Sequence, residues 1–337
     1  MNAQTNLSLK NFNTFGIDVK AKQFIEIQNI DELKHVLKRF YTEEIFVLGG
    51  GSNMLLTENI NKTVVYINNK GISVVEESQD HITIEVKAGE NWHDLVMWTV
   101  NNGYGGLENL ALIPGHVGTA PIQNIGAYGV ELKDTFESCK AVHRQTISEK
   151  TFNLDDCQFG YRNSVFKNEL RNQYIITSVK FKLTKNNHKI HTSYGAIQDQ
   201  LSKLKISQPQ PKDIAKAVTN IRKSKLPDPK KLGNSGSFFK NPIITKLKYD
   251  SLKDKFPNIP SYFIDEQHVK VPAGWLVEQS GLKGYRDGDA GVHKNQALVL
   301  VNYGQATGED VLNLSKKVQK TVNDKFDITL EAEVNIF

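Results

Sequence analysis

One stretch, residues 107–132, limits the possible folds of this chain more than any other. It reads LENLALIPGHVGTAPIQNIGAYGVEL, with four glycines, two prolines and only two charged residues, both glutamates. So little charge argues against an exposed linker, and so much glycine and proline argues against one helix or strand. Glycines let the backbone turn sharply and present main-chain N–H groups to phosphate oxygens or to the polar edge of a planar ring. The stretch predicts either a ligand-binding loop or a buried, turn-rich connection.

A second glycine-rich segment lies upstream, where Gly49, Gly50, Gly51, Ser52 and Asn53 follow a predicted apolar strand at residues 44–48. A strand followed by a glycine loop commonly holds the phosphates of a nucleotide. The segment fits neither G-x-G-x-x-G nor G-x-x-x-x-G-K-[ST], and no clear helix follows it, so a Rossmann domain or a P-loop is disfavoured. The serine and asparagine side chains can cap turns or donate hydrogen bonds to phosphate.

Length and composition favour two or three globular domains. A chain of 337 residues exceeds one compact core. Its net charge of +5 is too small for a nucleic-acid surface and suits an anionic small molecule. No apolar run reaches the roughly 20 residues of a membrane span. The start, MNAQTNLSLKNFNTFG, does not resemble a signal peptide, which predicts a cytoplasmic protein.

Cys139 and Cys157 are the only cysteines, and they lack metal-ligand spacing. Two thiols in so long a chain predict ordinary packing in a reducing compartment and no metal site.

Hydrophobic periodicity predicts strands and helices in mixed order, without a βαβα rhythm, and hence an α+β fold with a separate C-terminal domain. The predicted strands are at residues 21–27, 44–48, 63–67, 72–76, 81–88, 138–144, 148–153, 174–183, 297–302 and 328–337. The predicted helices are at residues 30–41, 92–101, 212–223, 274–279 and 309–326, with a short one after Gly195. The last strand would place Glu331, Glu333 and Asn335 on its polar face.

Five segments together identify a family. They are GGGSN at 49–53, IPGHVGTAPIQNIGAYG at 113–129, YRNSVFK at 161–167, GNSGSFFKNP at 233–242 and LEAEV at 330–334. Each is weak alone, but all five occur in the order found in the UDP-N-acetylenolpyruvoylglucosamine reductase (MurB) family. The chain resembles this family along essentially its full length, and specifically its longer class, in which a tyrosine loop covers the substrate.

The resemblance implies an α+β flavoprotein of three domains. A two-domain FAD-binding unit of the vanillyl-alcohol-oxidase-like (PCMH-type) fold would comprise residues 1–69, with a returning C-terminal strand at 327–337, and residues 70–222. A C-terminal α+β substrate domain would comprise residues 223–326.

The resemblance also implies an NADPH-dependent UDP-N-acetylmuramate dehydrogenase. NADPH would reduce FAD and leave, and flavin N5 would then deliver hydride to C3 of the enolpyruvyl group. Arg162 would hold the substrate carboxylate, because its planar fork stays charged and bonds in pairs. Ser237 would donate the proton to C2, and Glu333 would stabilise the same carboxylate or relay a proton.

The family motifs assign binding residues position by position. The substrate residues would be Tyr194, Lys225, Asn241, Tyr262 and Gln296. The FAD residues would be Gly49, Gly50, Gly51, Ser52, Asn53, Gly115, His116, Gly118, Thr119, Asn124, Gly126 and Ala127. His116 stands where many relatives have a small or hydroxyl residue, and Asn335 replaces a frequent arginine.

Simpler interpretations exist for single residues. Arg162 could stack and pair on the surface, Ser237 could close a turn, and Glu333 could lie on a solvated strand face. Tyr194 and Tyr262 could be partly buried with satisfied hydroxyls. A flavin oxidase using O₂ and a non-catalytic nucleotide-sugar-binding protein are the alternative functions. The expected partners are NADPH and the UDP-sugar, with no nucleic acid or membrane, and the chain is expected to be a monomer.

Overall fold

The computed structural model describes residues 3–41 and 44–337, and the chain divides into two compact units. Unit 1 comprises Met1–Leu7, Ala21–Gly50 and Ile60–Ser224. Unit 2 comprises Ser8–Lys20, Gly51–Asn59 and Lys225–Phe337. The division therefore falls inside the GGGSN segment, between Gly50 and Gly51. The three-domain boundaries expected from the family stay a prediction.

Seven helices and twenty strands are present in the described part of the chain. The helices are α1 (Ile30–Arg39), α2 (Trp92–Asn101), α3 (Gly195–Lys203), α4 (Pro211–Lys225), α5 (Lys246–Lys255), α6 (Ala273–Gln279) and α7 (Gly308–Phe326). The first ten strands are β1 (Gln4–Ser8), β2 (Lys20–Ile27), β3 (Ile45–Leu48), β4 (Met54–Leu55), β5 (Ile60–Ile67), β6 (Ile72–Glu77), β7 (His81–Lys87), β8 (Gly126–Ala127), β9 (Val130–Glu131) and β10 (Phe136–His143). The others are β11 (Glu149–Asn153), β12 (Tyr174–Thr184), β13 (Gly233–Ser237), β14 (Ile243–Thr245), β15 (Tyr262–Phe263), β16 (His268–Lys270), β17 (Arg286–Asp287), β18 (Ala290–Val292), β19 (Val299–Asn302) and β20 (Asn335–Ile336).

The first sheet of unit 1 has the order β1-β2-β5-β3, and β5 runs parallel to both β2 and β3. The helix α1 connects β2 to β3, and the Asn29 side chain caps it by accepting the Glu32 N–H at 2.9 Å. Leu33, Val36 and Leu37 form its buried face. The sequence predicts the strands and the helix of this βαβ unit but not their parallel arrangement, because a single unit gives no repeating pattern.

The second sheet of unit 1 is antiparallel, in the order β11-β10-β12-β7-β6. Its core includes Trp92 of α2, which packs edge-on against Phe181 of β12 at 5.9 Å. Cys139 and Cys157 are free and buried in the same core, as the sequence predicts. The helix α2 has the bounds and the Asn91 cap that periodicity predicts.

Unit 2 contains a four-stranded sheet, β13-β19-β18-β17, and a three-stranded sheet, β14-β16-β15. The long helix α7 begins with a capping box between Thr307 and Asp310 and buries Val311, Val318 and Val322. The helix α5 was missed because only one of its side chains, Leu252, is buried.

The predicted strand at 328–337 was too long. Ala332 makes an isolated bridge with Phe239, and the chain pairs as β20 only at Asn335–Ile336, in parallel with β4. The chain changes partners between these points, so one continuous ladder cannot form. No helix in the described residues has the length and apolar character needed to cross a membrane.

Candidate active site

The two glycine loops meet backbone to backbone within unit 1. A Cβ placed on Gly50 would lie 2.8 Å from both the Gly115 Cα and the His116 nitrogen. A Cβ on Gly49 would lie 2.6 Å from Thr119 Cγ2. Contacts this close leave no room for a side chain, so glycine is required at Gly50 by packing rather than by backbone angle.

Three main-chain N–H groups at this junction, those of Gly50, Gly115 and His116, have no acceptor among the described residues. Each of the three residues is partly exposed. Unpaired N–H groups gathered at a glycine turn form a cradle suited to an anion such as a dinucleotide pyrophosphate. The junction therefore fits the pyrophosphate-binding role predicted for it.

The remainder of the long loop is held by its own side chains. Asn124 adopts φ of 41° and donates to Glu131 Oε2 at 3.0 Å and to the Gly160 carbonyl at 3.1 Å. Its Oδ1 accepts the Lys133 N–H at 3.1 Å. Since Asn124 is fully buried, its side chain stabilises the loop, and only neighbouring backbone can face a cofactor. Gly118 similarly lies against Ala88, where a Cβ would approach to 2.5 Å.

His116 brings a neutral imidazole to this loop. Burial, reinforced by the charge of Lys70, lowers its pKa to about 4. Its ring lies 5.9 Å from that of Tyr66, and its Nδ1 is buried without a partner among the described residues. Any attraction for phosphate at this position comes from the backbone and not from a charged His116 side chain.

Arg162 occupies a strained turn in unit 1. Its φ is 52°, a left-handed conformation that costs a non-glycine residue about 1–3 kcal/mol. Its Nη2 donates to the Gly126 carbonyl at 2.7 Å, and its own carbonyl accepts from Lys167 Nζ at 3.3 Å. Ala127 follows Gly126 in β8, so the guanidinium is anchored to the same loop that holds the predicted FAD contacts.

Two residues near Arg162 were missed by the sequence reasoning. Arg222 of α4 lies beside the Tyr128 hydroxyl, and Arg162 is one of the charges around Arg222. Burial lowers the pKa of Arg222 and raises that of Tyr128. The ring of Tyr194 packs edge-on against Tyr128 at 5.2 Å. Helical spacing could have indicated that Arg222 faces the core, because it lies four residues after the buried Val218 on the same face of α4.

In unit 2, the second half of the GGGSN segment is tied to the C-terminal residues. Gly51 has φ of 60°, and a Cβ there would lie 1.9 Å from the Phe12 carbonyl oxygen. Asn53 Nδ2 donates to the Glu333 carbonyl at 3.3 Å. Asn335 Nδ2 donates to the Asn53 carbonyl at 2.9 Å. Ser52, which lies between Gly51 and Asn53 in the sequence, is half-buried.

Ser237 and Glu333 meet through the backbone of unit 2. A bulge between Asn234 and Ser237 interrupts the pairing of β13 with β19, and Gly236 in it has φ of 70°. Bulges redirect side chains, and here Ser237 is exposed. The Glu333 N–H donates to the carbonyl of Phe238, the next residue after Ser237, at 2.8 Å.

The predicted substrate residues of unit 2 are only partly gathered. Asn241 Oδ1 accepts the Ala273 N–H at 2.9 Å, and Gln296 Oε1 would lie 3.3 Å from a Cβ on Gly274, so both lie at the first turn of α6. Tyr262 stands apart on β15, with 53% of it exposed. Lys225 is exposed at the last residue of α4, while Tyr194 and Arg162 belong to unit 1.

Comparisons with known proteins match both the family models and several full-length relatives. Residues 228–337 match the model of the UDP-N-acetylenolpyruvoylglucosamine reductase C-terminal domain, and residues 21–146 match an FAD-binding domain model. A UDP-N-acetylenolpyruvoylglucosamine reductase of Flavobacterium johnsoniae is 60% identical over 336 residues, covering 100% of both chains. One from Pseudomonas savastanoi pv. phaseolicola is 47% identical, covering 100% of this chain and 99% of the other. The crystal structure of the Thermus caldophilus reductase (MurB) matches with a TM-score of 0.69 at 25% identity, covering 100% of this chain and 98% of that one.

Proposed function

The chain belongs to the UDP-N-acetylenolpyruvoylglucosamine reductase family and is an FAD-dependent oxidoreductase of peptidoglycan-precursor synthesis, and from this premise we propose how its residues carry out the reduction. The substrate is the enolpyruvyl group of UDP-N-acetylenolpyruvoylglucosamine, and NADPH is the electron donor. The observation that carries the proposal is the glycine junction of unit 1, with its three unpaired N–H groups.

The backbone of the two glycine loops would hold the FAD pyrophosphate. In unit 1 these residues would be Gly49, Gly50, Gly115 and His116, and the family resemblance also assigns Gly51, Ser52 and Asn53 of unit 2 to FAD. Bound FAD, once reduced by NADPH, would supply the hydride that reduces C3 of the enolpyruvyl group. Reduction at C3 leaves negative charge over C2 and the carboxylate, which the protein must stabilise until C2 receives a proton.

Arg162 would hold the substrate carboxylate. Its Nη2 is fixed on the Gly126 carbonyl at 2.7 Å, in the loop predicted to bind FAD, and a planar guanidinium can bond a carboxylate through two N–H groups.

Ser237 would donate the proton to C2, and Glu333 would steady the developing charge or relay the proton. The bulge that exposes Ser237, and the bond from the Glu333 N–H to Phe238, hold both residues at one strand edge. A serine hydroxyl is a weak acid, so donation depends on the cationic and carboxylate groups placed around the same substrate atoms.

The UDP part of the substrate would bind Tyr194, Lys225, Asn241, Tyr262 and Gln296. Lys225 is exposed and charged, which suits a diphosphate. Asn241 and Gln296 lie together at the first turn of α6. We also propose a cytoplasmic monomer, a location that the free thiols Cys139 and Cys157 support.

Anaerobic half-reactions test the proposed function. The purified holoenzyme should be yellow, bleach with NADPH, and regain colour on addition of UDP-N-acetylenolpyruvylglucosamine much faster than in air alone. Recolouring by O₂ but not by the substrate would instead show an oxidase. A colourless protein that binds the sugar nucleotide without flavin would show a binding protein.

A further inference from the structure

Residues 185–194, between β12 and α3, carry Tyr194 without forming a helix or strand. Their side chains still dock at defined places. His188 Nδ1 lies 2.7 Å from Thr184 Oγ1, and a Cβ on Gly105 would lie 2.6 Å from the same nitrogen. Ile190 packs against the apolar core of unit 1. We call residues 185–194 the tyrosine segment.

Asn109 ties the tyrosine segment to the long glycine loop. Only 1% of Asn109 is exposed, and its Nδ2 donates two hydrogen bonds. One goes to the Tyr128 carbonyl at 3.1 Å and the other to the His191 carbonyl at 3.0 Å. One amide therefore fixes the distance between the two loops, and both of its hydrogens are used to do so.

Tyr128 forms the surface on which Tyr194 rests. The two rings pack edge to face at 5.2 Å with an interplanar angle of 81°. Asn109 in turn holds Tyr128 through the Tyr128 carbonyl. Tyr194 is 48% exposed beside this contact.

We propose that Asn109 and Tyr128 are positioning residues that hold Tyr194 in the orientation that receives the UDP-sugar. They act through Tyr194 and the tyrosine segment. The inference rests on the substrate-binding role proposed for Tyr194. Loss of the Asn109 amide releases the segment from the glycine loop, so the substrate must order it on binding and the KM for the substrate rises.

The test compares Asn109→Leu with wild type as full-length holoenzymes. Removing the two hydrogen bonds should raise the substrate KM about tenfold, with kcat within about twofold. Hydrogen exchange should quicken about tenfold in residues 186–194 and stay unchanged in β10 and β12. A role in general stability would instead quicken exchange throughout unit 1.

Asn69→Leu is the matched control. Asn69 is also buried in unit 1, and its Nδ2 donates to the Thr177 carbonyl at 2.9 Å, away from the tyrosine segment. Its substitution should leave exchange in residues 186–194 as in wild type. Equal acceleration of that segment in both variants would overturn the proposal.

Two further variants keep the test decisive if Asn109→Leu does not fold. Tyr128→Leu loses the aromatic contact with Tyr194, and should raise KM about threefold, the effect of losing one aromatic pair. Tyr194→Ala measures the role of Tyr194 itself. If Tyr194→Ala raises KM while neither Asn109→Leu nor Tyr128→Leu does, the positioning proposal is wrong. If Tyr194→Ala leaves KM unchanged, the substrate role of Tyr194 fails, and this inference fails with it.

Discussion

The two units offer different kinds of candidate site. In unit 1 the glycine junction is made of backbone, with Gly50 against Gly115 and N–H groups that have no acceptor among the described residues. In unit 2 the proposed chemistry uses side chains, with Ser237 exposed at a bulge and the Glu333 N–H bonded to the Phe238 carbonyl. A site built from close-packed backbone cannot accommodate an added side-chain atom. A site built from side chains can accommodate a change of volume but not the loss of a functional group.

Ser237→Ala should have the largest effect. Loss of a general acid lowers the rate of its step by about 10²–10⁴-fold, so recolouring of the reduced enzyme by substrate should slow by that factor. Bleaching by NADPH should stay within about twofold of wild type, because the alcohol has no part in that step. Stopped-flow absorbance of each half-reaction measures both.

Ser235→Ala is the control for Ser237→Ala. The Ser235 hydroxyl is buried and donates to the Met54 carbonyl at 3.2 Å, so its loss should act on stability and not on one half-reaction. Equal slowing of both half-reactions in Ser237→Ala would show that Ser237 is not the acid.

Gly50→Ala should release FAD. The new Cβ would meet backbone atoms at 2.8 Å, and separating two backbones costs about 1–3 kcal/mol, so FAD affinity should fall by up to about 100-fold. Flavin fluorescence on dilution of the holoenzyme measures this release. Gly195→Ala is the control, since nothing lies within 4 Å of a Cβ there. Similar FAD retention in both variants would contradict a backbone cradle.

Acid should destabilise the unit that contains His116. Its pKa is about 4 in the folded chain against 6.5 for the free side chain, so the unfolded state binds more protons between these values. The stabilisation is complete above pH 6.5 and is lost as the pH falls through about 4. At about 1.4 kcal/mol per pKa unit, and allowing for partial exposure, it contributes about 2 kcal/mol. The free energy of urea unfolding should fall by about 2 kcal/mol less between pH 7 and pH 4 in His116→Gln than in wild type. An equal fall in both proteins would contradict the buried neutral ring.

Arg162→Lys should have a smaller effect, on substrate binding. Lysine keeps the charge but not the fork that reaches both the Gly126 carbonyl and a carboxylate, so the substrate KM should rise about tenfold. FAD content should be unchanged. Steady-state kinetics at saturating NADPH give the KM, and a wild-type value would show that the carboxylate binds elsewhere.

Elements with strong periodicity could be predicted from the sequence. The bounds of α2 and its Asn91 cap are as predicted, and β3 and β12 differ by one residue at one end. The helix α5 could not be predicted, because its contacts bury only Leu252. The terminal strand was overpredicted, since alternation along residues 330–335 does not reveal that the chain changes partners between Phe239 and β4.

The candidate site also has parts that the sequence reveals and parts that it does not. Glycine motifs indicated the loops at Gly50 and Gly115, because close backbone contact requires glycine. The role of Asn109 could not be predicted in this way. Its side chain bonds two residues distant in the chain, and an asparagine can form such bonds at many positions.

A crystal structure of the holoenzyme with bound UDP-N-acetylenolpyruvylglucosamine tests the account most directly. We predict the FAD pyrophosphate on the N–H groups of Gly50, Gly115 and His116. We also predict the Arg162 guanidinium on the substrate carboxylate and Ser237 Oγ facing C2. An FAD bound away from the glycine junction, or a substrate whose enolpyruvyl group touches neither Arg162 nor Ser237, would contradict it.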